Sequence, residues 1–192
     1  MFGWGGTLST EFEDSSRRYL EELRNGGTVA SAVDSAHLVV HKDEVQDAAV
    51  RMLEETGIID MKRLAVDSGI SRASLYRYYP DKLAVESEIA AALAVAMGEA
   101  AAQHTDFGAK LRAAVEVMFA DPAGCAALGP VVAAVGADVL AESAKTIVGH
   151  PAAAPMLVGF GALAAAAHRR GDIESVQRML ERTMKQFELS LA

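Results

Sequence analysis

The residues of this chain that could do chemistry crowd into one short stretch. Between Met61 and Lys82, the cations Lys62, Arg63, Arg72, Arg77 and Lys82 stand against only Asp67 and Asp81, a surplus of three positive charges in a chain of net charge −8. An acidic chain is a poor generic partner for nucleic acid, whose phosphates demand a basic footprint. A basic island within it is a different matter. Interleaved with the cations are Ser71, Ser74, Tyr76 and Tyr78, whose hydroxyls can donate hydrogen bonds to phosphate oxygens. These residue types suit binding of a polyanionic backbone.

Other chemistries find no support in the residues. Cys125 is the single cysteine, which excludes an intrachain disulfide and a cysteine-based zinc site within one chain. His37 and His41 are spaced i, i+4, as two imidazoles on one metal would be, but no third ligand accompanies them. His104, His150 and His168 each sit near a helix end, where capping or solvent exposure is the simpler role. There is no Ser-His-Asp order with a nucleophile elbow, no phosphate-binding P-loop and no Gly-x-Gly-x-x-Gly opening a helix after a strand. The expectation is no catalytic residue, no metal and no cofactor, and a protein that is not an enzyme.

The elements that must position the basic stretch are helical. From Asp43, Val45, Ala48, Ala49, Met52 and Leu53 form an apolar stripe that stops at Gly57. Asp60 then caps a short helix over Met61 to Ser68, Gly69 turns the chain, Ser71 caps a second short helix over Arg72 to Tyr79, and Pro80 closes it. This is helix-turn-helix geometry. Leu64, Ala65, Ile70 and Leu75 form its small core. With Leu75 inward, Arg72, Ala73, Tyr76 and Arg77 face outward, where the helix N-terminus can enter a major groove. Lys62, Tyr78 and Lys82 flank it at phosphate-contacting positions.

Ala65, Gly69, Ile70, Ser71, Ser74-Leu75-Tyr76, Tyr78-Tyr79 and Lys82 resemble the DNA-binding signature of the tetracycline-repressor (TetR) family of transcriptional regulators. The resemblance covers Asp43 to Lys82. It implies that Tyr76, Tyr78 and Lys82 contact phosphates, that Arg72 and Ala73 approach bases, and that Lys62 reaches DNA from the preceding helix. Arg77, Ser71 and Ser74 complete the DNA-facing set. Two departures stand out: the link from Gly57 to Ala65 is shorter than usual for the family, and Met61 sits where Thr or Ser is common.

The chain then divides into an N-terminal extension (1–42), a homeodomain-like helix-turn-helix head (43–82) and a helical ligand-binding and dimerisation domain (83–192). Strand signals are almost absent, so the fold class is all-α. In the extension, a helix is expected from Ser9 or Thr10 to Asn25 and a second, short one after Thr28. Its role stays open between bracing the head, adding to a dimer interface, and disorder. In the remainder, helices are expected over Asp81 to His104, Phe107 to Ala120, Pro130 to Val148, Ala152 to Arg170 and from Asp172 to Leu191, with at most one helical turn over Pro122 to Leu128.

The family resemblance implies that this remainder encloses a pocket. Its wall candidates are Met97, Phe107, Met118, Phe119, Val132, Val135, Met156 and Phe160. Such a wall suits a small hydrophobic effector, acyl-chain or lactone-like. The last two helices, rich in Gly159, Gly161, Ala164 and Ala165 and then in a long apolar stripe, are expected to form a homodimer. No run reads as a membrane span, and Met1 to Gly6 lacks the features of a secretory signal, so a cytoplasmic location is expected. The whole reads as a ligand-responsive repressor that binds a palindromic operator as a dimer and is released by its effector. The alternative is a helical small-molecule-binding protein or a protein-interaction module with a vestigial DNA-binding head, although a vestigial head would not be expected to keep Tyr76, Tyr78 and Lys82.

Overall fold

The computed structural model describes residues 29–174 with Arg178, Glu181 and Arg182, and side chains from Lys42 onward. The expected helix over Ser9 to Asn25, the side chains of His37 and His41, and most of the helix expected after Asp172 lie outside the described residues. Within them the chain is all-helical: α1 Val29–Thr56, α2 Met61–Asp67, α3 Arg72–Tyr78, α4 Lys82–Ala102, α5 Phe107–Ala120, α6 Pro122–Ala134, α7 Ala137–Val148, a 3₁₀ turn at Pro151–Ala153, and α8 Ala154–Arg170.

The sequence reading starts a new helix at Asp43, but α1 runs unbroken through it. No glycine or proline interrupts Val29 to Thr56, so nothing stops propagation once the helix has nucleated. It ends where expected, at Gly57, whose φ of +71° only glycine adopts at little cost.

The short helices α2 and α3 are made by their caps. Asp60 accepts hydrogen bonds from the Lys62 and Arg63 amides at 2.7 and 3.1 Å, and Ser71 accepts from the Ser74 amide at 3.0 Å. Between the helices Gly69 takes φ +70°, which lets the Ile70 amide reach back to the Ala65 carbonyl at 3.1 Å. Leu64 and Leu75 are fully buried against α1 residues Val45, Ala49 and Met52 in the first of two hydrophobic cores. Truncating either leucine to alanine should cost about 2–5 kcal/mol.

The second correction concerns α6 and α7. The expected break at Gly129 is absent: Pro122 follows the Asp121 cap at the helix start, and α6 runs on to Ala134 with Pro130 inside it. A proline removes one backbone donor there, and the helix ends within a turn, at an extended Val135 and Gly136. Gly129 is not in the left-handed region that would end a helix.

The second core lies between α4, α5, α7 and α8 and includes Leu93, Leu111, Met118 and Phe160. Among the described residues, Pro151–Arg170 is long and apolar enough, by length and composition, to cross a membrane. Within this fold its Leu157, Phe160, Ala164 and Ala167 are buried in that second core.

Candidate nucleic-acid interface and apolar cavity

The α2–α3 unit presents its cations unequally. Arg63 is tied into two ion pairs, with Glu55 at 2.6 Å and Asp67 at 3.0 Å, which cancels it as a free positive charge. Arg77 lies over the Tyr78 ring, 5.2 Å from its centroid, and donates to the Tyr78 hydroxyl at 2.8 Å. Lys62, Arg72 and Lys82 are exposed and make no salt bridge among the described residues. The sequence alone did not distinguish Arg63 from the others.

The remaining expected site residues fall on the same unit. Ser71, Ala73 and Tyr76 are exposed, Tyr76 to 46%, while Ser74 and Tyr78 are half-buried. The Ser71 and Ser74 hydroxyls are 2.9 Å apart and bond to each other. Ser71 therefore serves first as the cap of α3. The Asp60 carboxyl, holding the Arg63 and Lys62 amides with Lys62 and Arg72 nearby, lies below its usual value and stays ionised at the start of α2.

Behind this surface stands an anchor that sequence reasoning missed. The buried Tyr79 donates its hydroxyl to Glu88 of α4 at 2.7 Å, and Glu88 also receives Lys42 at 2.9 Å and Gln46 at 3.1 Å, both from α1. Burial pushes the Glu88 carboxyl up, but the bonds from Lys42, Tyr79 and Gln46 outweigh it and leave it below its ordinary value. Burial first, then Glu88, pushes the Tyr79 phenol well above its usual range. The end of α3 is thereby bolted to both α1 and α4. A Tyr-to-Glu spacing of nine residues across two helices has no periodic signal to reveal it.

Two residues before Glu88 sits Glu86, 2% exposed with one carboxylate oxygen lacking a hydrogen bond. Burial raises its pKa, Asp81 adds to the shift and Lys82 opposes it. Cys125 is buried, donates to the Met118 carbonyl at 3.1 Å, and has its thiol pushed up to about 12 by burial and then by Asp121. It is inert as a nucleophile.

The helical body holds a cavity of about 310 Å³ between α4, α5, α6, α7 and α8. Four expected wall residues line it: Met97, Met118, Val132 and Val135. The other four do not. Phe119 and Phe160 are consumed by the core, Phe107 packs edge-on against His150 at 5.9 Å, and Met156 packs half-buried against the same core. Large aromatics pay best where contact is complete, so they fill interior rather than leave space. Smaller residues make the wall instead, among them Ala90, Ala94, Leu128 and Leu140, and its only polar side chains are Ser87 and Ser143. Among the described residues no group of three or more His, Cys, Asp or Glu is arranged to hold a metal ion.

Comparison with protein-family models, curated proteins and solved structures returns no significant match. The residues make an exposed cationic and hydroxyl-bearing face on two short capped helices, and a separate apolar cavity in the helical body.

Proposed function

We propose that this chain is a TetR-like, ligand-responsive transcriptional regulator that binds a palindromic DNA operator as a homodimer. The observation that carries the reading is the state of the cations on α2, α3 and the start of α4: in a chain of net charge −8, Lys62, Arg72 and Lys82 are exposed and unpaired among the described residues. A folded acidic protein has ample carboxylates to neutralise surface cations, as Glu55 and Asp67 do for Arg63. Leaving these three open suits phosphate and base contact.

In this reading residues 43–82 form a helix-turn-helix head with α3 as the recognition helix. Arg72 and Ala73 meet base edges, and Lys62, Tyr76, Tyr78 and Lys82 meet phosphates, joined by Arg77 once it leaves the Tyr78 ring. Ser71 and Ser74 fix the N-terminus of α3 at the groove. The helical body pairs through α8 and the segment after Asp172, and its cavity takes a small hydrophobic effector that releases the operator. α8 supports the pairing: Gly159, Ala162 and Leu163 are exposed on it, and Leu163 is 38% exposed, an apolar face small enough for close helix approach. Repression in the cytoplasm is the regulatory outcome proposed.

The test is direct. The full chain should sediment as a dimer and select duplex fragments from its own genome at low salt, with a palindrome common to the selected set. A stable monomer that retains no duplex under those conditions refutes the reading. A monomer that ignores DNA yet binds small apolar molecules would favour the helical carrier with a vestigial head.

A further inference from the structure

We infer that the cavity takes an uncharged amphipathic molecule whose single polar end both donates and accepts a hydrogen bond, a primary alcohol or carboxamide rather than an ester, lactone, carboxylate or amine. The inference deepens the proposed function, since it takes this cavity as the effector site. Three observations carry it.

The first is charge. Every lining residue is Ala, Val, Leu, Ile, Met or Ser, with no ionisable side chain among them. An ionised ligand group drawn into such a wall finds no counter-charge, and desolvation then opposes binding.

The second is the gradient from rim to floor. Ser87 and Ala91 on α4 and Val139 and Ser143 on α7 line the cavity and are exposed, whereas Leu93, Met118 and Leu157 line it and are buried. The polar side chains therefore mark the mouth and the floor is wholly apolar. A ligand enters tail first and leaves its polar end between α4 and α7. At about 310 Å³ the space sits at the lower end of small-molecule pockets, which suits a medium-length chain.

The third is the hydrogen-bonding state of the two serines. Ser143 already donates its hydroxyl proton to the Val139 carbonyl at 2.8 Å, so toward the cavity its oxygen can only accept. The Ser87 hydroxyl has no partner among the described residues and is free to donate. Ser143 therefore asks the ligand for a donor, while Ser87 can donate or accept, and a polar end that does both serves the two. Alcohols and primary amides do so. Ethers, esters and lactones lack the donor.

The experiment is calorimetric titration of the full chain, without DNA, using five eight-carbon probes: 1-octanol, octanamide, heptyl methyl ether, octanoate and octylammonium at neutral pH. The alcohol and amide should bind about fivefold more tightly than the ether, the discrimination expected of one hydrogen bond, and the two ions, which meet no counter-charge in the lining, should bind more weakly than the alcohol. Ser143→Ala should erase the preference for alcohol over ether, while Ser87→Ala should weaken both. Both serines are exposed, so the alanine variants should fold; a melting curve checks this. Equal affinity for ether and alcohol, tighter binding of octanoate than octanol, no binding of any probe, or a Ser143→Ala variant that keeps the preference would each overturn the inference. DNA selection that persists while all probes fail refutes only the ligand chemistry, and ranked probe binding without DNA selection refutes only the regulator.

Discussion

Arg72→Ala and Lys82→Ala remove one positive charge each from neighbouring parts of the same surface, and they should fail in different ways. Lys82 opens α4 beside the Asp81 cap and is assigned to a phosphate. Each phosphate neutralised contributes about 0.9 to the slope of log K against log salt, and a symmetric dimer carries the contact twice. Lys82→Ala should therefore flatten the slope by about 1.8, so that the affinity lost between about 50 and about 200 mM salt shrinks roughly twelvefold relative to the parent. The loss should be the same on operator and on random duplex. Arg72, first residue of α3, is assigned to a base edge worth about 1–3 kcal/mol of discrimination per half-site. Its removal should reduce the operator-to-random ratio by at least tenfold and move the slope less. Fluorescence anisotropy on one operator and one scrambled duplex, each at four or more salt concentrations, reads both quantities. If the two variants change ratio and slope alike, the division of the head into base-reading and phosphate-holding residues is refuted.

Tyr79→Phe deletes the 2.7 Å bond to Glu88 and leaves that carboxylate with Lys42 and Gln46; it should cost about 1–2 kcal/mol, read by urea denaturation. Glu86 is held above its ordinary pKa by burial, so the native state holds its proton more tightly than the unfolded chain does, and stability falls as pH rises from the ordinary value through the raised one. Glu86→Gln should accordingly raise the Tm at about pH 8 by roughly 2–4 °C and leave it unchanged near pH 4, where the carboxyl is already neutral; an equal gain at both pH values would contradict burial of the charge as the cause. Gly69→Ala strains only the backbone, since nothing lies within 4 Å of the added carbon, and should cost about 1–2 kcal/mol, part of it recovered by Gly69→Asn. Gly124→Ala puts its new carbon 2.9 Å from the Leu93 Cβ and should cost about 1–3 kcal/mol, with Gly124→Asn worse still in the same melting assay.

Local signals in the chain were strong wherever a helix is bounded by its own residues. Asp60, Gly69, Ser71, Pro80 and Asp81 set the limits of α2, α3 and the start of α4 to within a residue, because a cap or a left-handed glycine acts over three or four positions and needs no tertiary partner. The same reasoning misplaced the breaks at Asp43 and Gly129. Asp and Gly can end a helix but do not have to, and packing decides: α1 continues through Asp43, and α6 continues past Gly129. The cavity was legible only by composition. Large apolar residues were its expected wall, yet the fold spends Phe119 and Phe160 on the core and leaves the wall to Ala90, Ala94 and Leu140, which no one-dimensional pattern marks as special. Glu88 as an anchor and Ser87 and Ser143 at the rim become meaningful only when α1, α4 and α7 meet.

The two cores are less separate than the change from charged to apolar sequence near Lys82 suggests. α6 serves both. Ala123 and Ala127 from its first half are buried in the core beneath α2 and α3, while Val132, from its second half, and Val135, just past its end, line the cavity, and Leu128 packs against both cores and lines the cavity too. Arg169 of α8 approaches the loop after α1, its Cδ 3.8 Å from where a side chain on Gly57 would begin. Interiors packed at crystal-like density do not absorb a displaced wall locally. Leu128 packs both against the core that holds Leu64 and Leu75 and against the core behind the cavity, so a displacement of the cavity wall at Leu128 bears on both. Pro130 removes a backbone donor between the two halves of α6, which makes it the point where that helix bends most cheaply.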